Sequence, residues 1–417
     1  MATSAKGARR RSASTAPNGR RALVLAGGGI TGLAYEIGAL RALDDILVGA
    51  TVNDFDVYVG TSAGALVAAL LANGVTPTEI ALGLEGSNDR ISPPTRWTIY
   101  RPNVGEAARN LLKLPELLRE TAWEVIRHPS RLNPLDIFGM LSPLLPSGLF
   151  TSDELQRYLR RLFAADGLTN EFSDLHRELH IVACAIDTGE RVVFSQDSDT
   201  RIPISSAVAA SGAIPVLFKP VRIDGIDYVD GGIKGISAID IAVDRGASLI
   251  VVINPVVPVD TRKLDTPDLV REQIGEHLRD SGMRAIYNQV MRGMLHDGLL
   301  DHIRLVRDRH PDVDLLLIEP RADDDKMFFH ELMSFSARLM VMQHGYESVS
   351  NGLQDTWGYL RRILPKHGIH VTRRVVDRKP TAAAKSVDSA PLLRRVLRQT
   401  VLARRPRVQL VDDSDAA

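Results

Sequence analysis

Apolar residues run together at Ala22-Leu23-Val24-Leu25-Ala26 and lead directly into Gly27-Gly28-Gly29. Beyond Gly32 they recur at Leu33, Ile37, Leu40, Leu43 and Leu47, the spacing of one helix face. A second strand pattern, Phe55 to Val59, stops at Gly60, and a helix of small residues is expected from Ser62 to about Leu71. The first ordered stretch thus alternates strand, glycine loop, helix, strand, tight turn, helix. That alternation predicts a mostly parallel sheet covered by helices.

From about Thr76 to Pro146 the pattern turns helical and loop-rich. Thr151 with Glu154 three residues later predicts a capping box opening a helix over Asp153–Phe163. Strands are expected at His180–Ile186 and Arg191–Phe194, turning at Asp187-Thr188-Gly189, then a helix near Ser205–Ala210. Val221–Val229 reads as a hairpin turning at Asp224-Gly225. Ile239–Val243 suggests a helix and Leu249–Ile253 a buried strand. Residues 264–362 are mostly helical, interrupted by the strand-like Asp314–Ile318. Residues 1–20 hold little to bury and are expected to be disordered. Beyond Lys366 a basic tail is expected, with one amphipathic helix over 391–405. The domain then spans 21–365, with a core over 22–255 and a helical remainder over 256–365.

Composition adds a charge asymmetry. The formal net charge is zero, but residues 1–21 carry six basic and no acidic side chains. From Lys366 to Val411 there are twelve Lys or Arg against two Asp, leaving 33 basic and 46 acidic residues between 22 and 365. Basic ends on an acidic body suit peripheral contact with anionic lipid headgroups, and are equally what solvated tails look like. They lack the interleaved aromatics of a nucleic-acid surface. The single cysteine, Cys184, lies in an apolar strand and is expected to be a buried thiol. With no apolar stretch of spanning length and no apolar run behind the basic N-terminus, a cytoplasmic chain, peripheral to membranes at most, is expected.

Three glycine-rich turns carry candidate chemistry. Gly60-Thr61-Ser62-Ala63-Gly64 is a G-x-S-x-G between a strand and a helix, where a strained turn would lift the serine hydroxyl above the sheet. The Ala63 N–H and the helix dipole would face an oxyanion there. Gly27-Gly28-Gly29-Ile30-Thr31-Gly32 lets backbone N–H groups converge on one anionic point. It also satisfies G-x-G-x-x-G, but a dinucleotide site wants an acid at the end of the second strand, and that strand ends in Gly60. Asp230-Gly231-Gly232 follows the hairpin, and a carboxylate on a Gly-Gly turn can approach a hydroxyl closely.

With these turns in this order the chain resembles the patatin-like phospholipase family over about residues 22–255. The resemblance also rests on Ala210-Ser211-Gly212-Ala213-Ile214-Pro215 with Phe218 and Pro220, and on Gly148-Leu149-Phe150. It implies a three-layer α/β/α fold, a Ser62–Asp230 dyad without histidine, no cofactor, and acyl-ester lipid substrates. It further implies an oxyanion hole from the Gly28 and Gly29 amides. Two positions depart from the family pattern. Thr31 stands where the family usually has Arg or Lys, and Ile233 to Ala238 lack the usual Asn and Pro.

A Ser–His–Asp triad is the competing arrangement. His277, His296, His302, His330 and His344 follow Asp230, but none sits in a Gly-flanked loop after a clear strand. No His cluster has metal-ligand spacing; His176 and His180 have only Glu178 between them as carboxylate. Leu111–Ile126 is expected to pack as core, with a lipid-facing cover as the alternative. The reading is a lipid acyl-ester hydrolase, with an acyltransferase using the same dyad or a catalytically silent lipid-binding module as alternatives.

Overall fold

The computed structural model describes residues 19–373, except 89, 128–132, 134–135, 137–138, 141, 199–200, 263–277, 325–326 and 328–331. The expected N-terminal tail up to residue 18 and the expected helix over 391–405 lie outside the described residues.

In chain order the elements begin with β1 (Arg20–Leu25), α1 (Gly29–Ile46), β2 (Leu47–Val48), β3 (Val57–Thr61), α2 (Ala63–Ala72) and α3 (Pro77–Glu85). Next come α4 (Arg96–Ile99), β4 (Arg101–Pro102), α5 (Val104–Leu111), α6 (Leu114–Arg127), β5 (Gly148–Thr151) and α7 (Asp153–Phe163). The hairpin β6 (Glu178–Ala185) and β7 (Glu190–Phe194) precedes α8 (Ile204–Ser211), β8 (Val216–Phe218), β9 (Val221–Ile223) and β10 (Ile226–Asp230). The chain continues through α9 (Ile239–Asp244), β11 (Ala247–Ile253), α10 (Gly282–Arg309) and β12 (Asp314–Ile318). It closes with α11 (Arg338–Asp355), α12 (Trp357–Ile363) and β13 (His370–Val371).

The central sheet has the order β12-β11-β1-β3-β6-β10-β9, with β7 also on β6. β12, β11, β1, β3 and β6 are parallel; β7 and β10 run antiparallel to β6, and β9, antiparallel to β10, returns to the direction of the parallel set. Alternate residues of β1 separate two cores. Leu23 and Leu25 face α1, α2 and α11, whereas Ala22 and Val24 face α9 and α10. The expected three-layer α/β/α architecture is therefore observed, with a helical C-terminal portion. This portion is packed on the core through glycine. A Cβ on Gly38 would lie 2.2 Å from the Met342 carbonyl oxygen, so only glycine lets α1 and α11 approach this closely. The ordered chain continues past α12, where His367 is buried and β13 pairs with β2.

The hairpin turn falls at Asp224 and Gly225, with φ of 49° and 87°, as the sequence pattern requires. Cys184 is buried, as expected. Two expectations fail. Helix α7 forms without the Thr151–Glu154 capping box: Thr151 Oγ1 accepts from the Asp153 N–H at 3.3 Å, while Glu154 is taken by Arg101 and Arg157. Ion pairing thus removes the carboxylate from the cap. The Leu111–Ile126 stretch is not core; Leu111, Leu112, Leu118, Trp123 and Ile126 are all exposed. Among the described residues no helix is long and apolar enough to cross a membrane.

Candidate active site

The register of β6 explains how positions 62 and 230 meet. β3 ends at Thr61, opposite Val182, and β10, running the other way, ends at Asp230, opposite Ala183. β7 pairs with residues 181–185 and occupies the other edge of β6. The tips of β3 and β10 therefore meet head-on along a single edge of one strand.

Ser62 adopts φ 55° and ψ −122°, a conformation an L-residue holds only under constraint, at a typical cost of about 1–3 kcal/mol. The constraint comes from crowding on both sides. A Cβ at Gly60 would lie 2.5 Å from Ala65 Cα, and one at Gly64 would lie 2.5 Å from the Leu25 carbonyl oxygen. The Ser62 N–H donates to Ser211 Oγ at 2.8 Å, and that hydroxyl donates to the Val182 carbonyl at 2.6 Å. Ser211, fully buried at the end of α8, thus ties the turn to β6.

Asp230 is buried beside it. Its N–H donates to the Ala213 carbonyl at 2.9 Å, and its Oδ1 accepts from the Gly232 N–H at 2.7 Å. A Cβ on Gly231 would fall 2.4 Å from the Val182 carbonyl oxygen, so the Gly-Gly turn is a packing requirement. Burial raises the Asp230 pKa from 3.8 to about 6, against the opposing pull of the neighbouring Ser62 side chain and the Gly232 N–H.

The glycine run forms the opposite wall. A Cβ on Gly27 would touch Ser62 Cβ at 3.0 Å, while Gly28 and Gly32 pack on Pro255. Gly29 opens α1 with φ 61°, and Ala63 opens α2. First-turn N–H groups have no intrahelical acceptor, and those of Gly28, Gly29 and Ala63 find none among the described residues. Gly29, Ala63 and Ser62 line one cavity with an empty volume of about 1080 Å³, counted out to its open mouth. Its walls are apolar, from α1 (Leu33), α2 (Leu66, Leu70), α3 (Leu84), α7 (Leu159, Leu162) and Phe218.

No histidine among the described residues lines this cavity. His296 and His344 pair with Glu319 and Asp324, and His302 with Asp240; His277 and His330 lie outside the described residues. Two contributors carry no role in the sequence pattern. Ser211 lies in the Ala210–Pro215 block, where nothing marks it as a support for the Ser62 turn. Residues 332–338, which cross the glycine run, carry no local signal because their contact is long-range: the Leu332 carbonyl accepts from the Thr31 N–H at 3.0 Å.

Ser211→Ala leaves the Ser62 N–H and the Val182 carbonyl without their partner. It is expected to cost about 1–3 kcal/mol of stability and roughly tenfold in turnover through the misplaced turn. Chemical denaturation and steady-state ester hydrolysis measure the two effects; an unchanged rate would show that the turn holds itself.

Among curated relatives, the chain is 24% identical over 227 residues to the "Probable lipid hydrolase 463L" of Invertebrate iridescent virus 6, covering 54% of this chain and 64% of that protein. It is 25% identical over 221 residues to the uncharacterized protein YqhO of Bacillus subtilis (strain 168), covering 50% and 62%. The chain thus spans less than two thirds of the length of either relative. Among solved structures, VipD from Legionella pneumophila matches over 82% of this chain and 67% of that one, at 15% identity and a TM-score of 0.33. The type III effector protein ExoU matches over 81% and 53%, at 16% identity and a TM-score of 0.30. Residues 23–243, more than half of the chain, match the patatin-like phospholipase family, and on that match the chain belongs to it.

Proposed function

We propose that this chain hydrolyses acyl esters of lipids, with Ser62 as nucleophile and Asp230 as general base. The observation that carries the reading is the convergence, on one edge of β6, of the strained Ser62 turn and the buried Asp230 carboxylate, with Ser62 lining a large apolar cavity. A serine hydroxyl is a weak nucleophile until a base takes its proton. An ordinary carboxylate is a poor base at neutral pH; one raised to about 6 is better matched and still mostly ionised there. Ser62 Oγ bonds to the ester carbonyl carbon as its proton passes to Asp230. The oxyanion is received by the Gly28, Gly29 and Ala63 amides, each such donor being worth on the order of 3 kcal/mol in barrier. The proton on Asp230 then leaves with the alcohol, and water, deprotonated by the same carboxylate, releases the acyl group.

An acyl chain fits the cavity's lining, whose only charged side chain among the described residues is Arg338. Trp97, beside the cavity residue Ile99, and the exposed apolar side chains of α5 and α6 would meet a lipid surface. The basic ends, largely outside the described residues, are a second candidate contact. The test is labelling by a fluorophosphonate probe with product analysis on a mixed lipid panel. Labelling at Ser62 with release of free fatty acid is the expected result. Labelling with transfer of the acyl group to another lipid would make the chain an acyltransferase, and no labelling would leave a lipid-binding module.

A further inference from the structure

Thr31 occupies the place where the family resemblance calls for Arg or Lys, and here it is an anchor rather than a charge. It is buried, and both its N–H and its hydroxyl donate to the Leu332 carbonyl, at 3.0 and 3.3 Å. Gly29 admits the same contact, since a Cβ there would lie 2.6 Å from that oxygen. The Tyr100 hydroxyl donates to the next carbonyl, Met333. Residues 332–338 are thereby strapped across the glycine run, and Met333, Phe335 and Arg338 enter the wall of the cavity that holds Ser62.

Arg338 is half-buried in that apolar wall. Its guanidinium stacks 4.1 Å from the Phe335 ring centroid, and Nη1 donates to the Phe335 carbonyl at 3.0 Å. Its Nε is buried with no hydrogen-bond partner. Among the described residues no ion pair joins a carboxylate to Arg338 or to Arg96. Arg96, at the start of α4, is the other charge that acts on Arg338; burial first, and this neighbour second, hold the Arg338 pKa below its usual value. A buried N–H without an acceptor, on a cation in an apolar wall with no acid paired to it, is unfavourable until an anion arrives.

We propose that Arg338, assisted by Arg96, forms a subsite for the phosphate of an acyl glycerophospholipid whose ester carbonyl lies at Ser62. The guanidinium fork suits a phosphate, and stacking on Phe335 holds it ready. The cation expected inside the glycine motif is thus supplied from the strap. This inference rests on the proposed hydrolase reading for its orientation, so its first test avoids catalysis. In a Ser62→Ala background, binding of an ether-linked, non-hydrolysable lysophosphatidate is compared with that of the matching neutral alkylglycerol.

Arg338→Gln is expected to weaken the phosphate ligand at least about tenfold more than the neutral one. Arg338→Lys should recover part of the loss and Arg96→Gln show a smaller one; thermal melts confirm that each variant is folded. Equal weakening of both ligands, or none, overturns the subsite whether or not the chain is an enzyme. A second arm measures inhibition by a free fatty acid. A discrimination that appears only against that carboxylate overturns the phosphate assignment in favour of a product site. With turnover substrates, the kcat/KM ratio of lysophosphatidate over monoacylglycerol should fall by a similar factor in Arg338→Gln. Turnover of neither substrate by the unaltered chain would refute the hydrolase reading and leave the binding result standing.

Discussion

Ser62→Ala is expected to lower ester turnover by about 10⁴-fold or more, a loss typical of removing an attacking group that works as a unit with its base. The hydroxyl is the only part of the side chain that the alanine lacks, and the backbone turn is held by other groups. Gly60 and Gly64 admit the close approach on either side, and the Ser62 N–H keeps its bond to Ser211. Stability should therefore change little. The carboxylate of Asp230 keeps its hydrogen bond from the Gly232 N–H. Hydrolysis of a short-chain chromogenic ester, fluorophosphonate labelling and a thermal melt are the three readouts. Turnover within tenfold of the unaltered chain would remove Ser62 from the chemistry.

Asp230→Asn should also abolish turnover, by at least about 10³-fold, and should do so while making the protein more stable at high pH. The sign follows from the proton balance. The carboxyl titrates at 3.8 unfolded and at about 6 in the folded chain. Between those values the folded state holds the extra proton, so stability is full below pH 4 and falls as pH rises through 6. Asparagine resembles the protonated acid in shape and cannot ionise. The variant and the parent should match below pH 4, and the variant should lead by about 3 kcal/mol above pH 7. The same titration governs the parent's kinetics: kcat/KM should rise with pH through about 6 and level off, since only the ionised form accepts the Ser62 proton. Urea melts at pH 4 and pH 8, with a pH–rate profile between 5 and 8, measure both. A flat profile, or a variant less stable than the parent at pH 8, would contradict the assignment of the base.

The parts of the fold written in local pattern were legible in the sequence. β1, β3, the β9–β10 hairpin and β11 follow apolar runs and a turn signal, and G-x-S-x-G was readable because it lay between a strand and a helix. The candidate pair itself was visible as two Gly-flanked residues. What brought them together in space was not, because the register of β6 is set by pairing with three different strands. The α7 cap misled because Glu154 had two arginines within reach, and no local rule weighs a distant Arg101. Leu111–Ile126 misled because apolar spacing on a helix records amphipathicity and not what covers it. By contrast, a capping box between Thr76 and Glu79 with Pro77 is present at α3, where no ion pair among the described residues takes the Glu79 carboxylate. The strap at 332–338 had no signature at all; its partner, Thr31, lies at the other end of the chain.

The strand ends that carry the proposed nucleophile and base, Thr61 and Asp230, pair with two consecutive residues of one interior strand, Val182 and Ala183. Any twist or drift of the sheet carries hydroxyl and carboxylate in the same direction, so their spacing is insulated from displacements elsewhere. The strap touches the glycine wall and the cavity but neither of those two residues. Changes along 332–338 can thus retune which molecules are admitted without disturbing the proposed catalytic pair, which leaves substrate preference free to vary on a fixed mount.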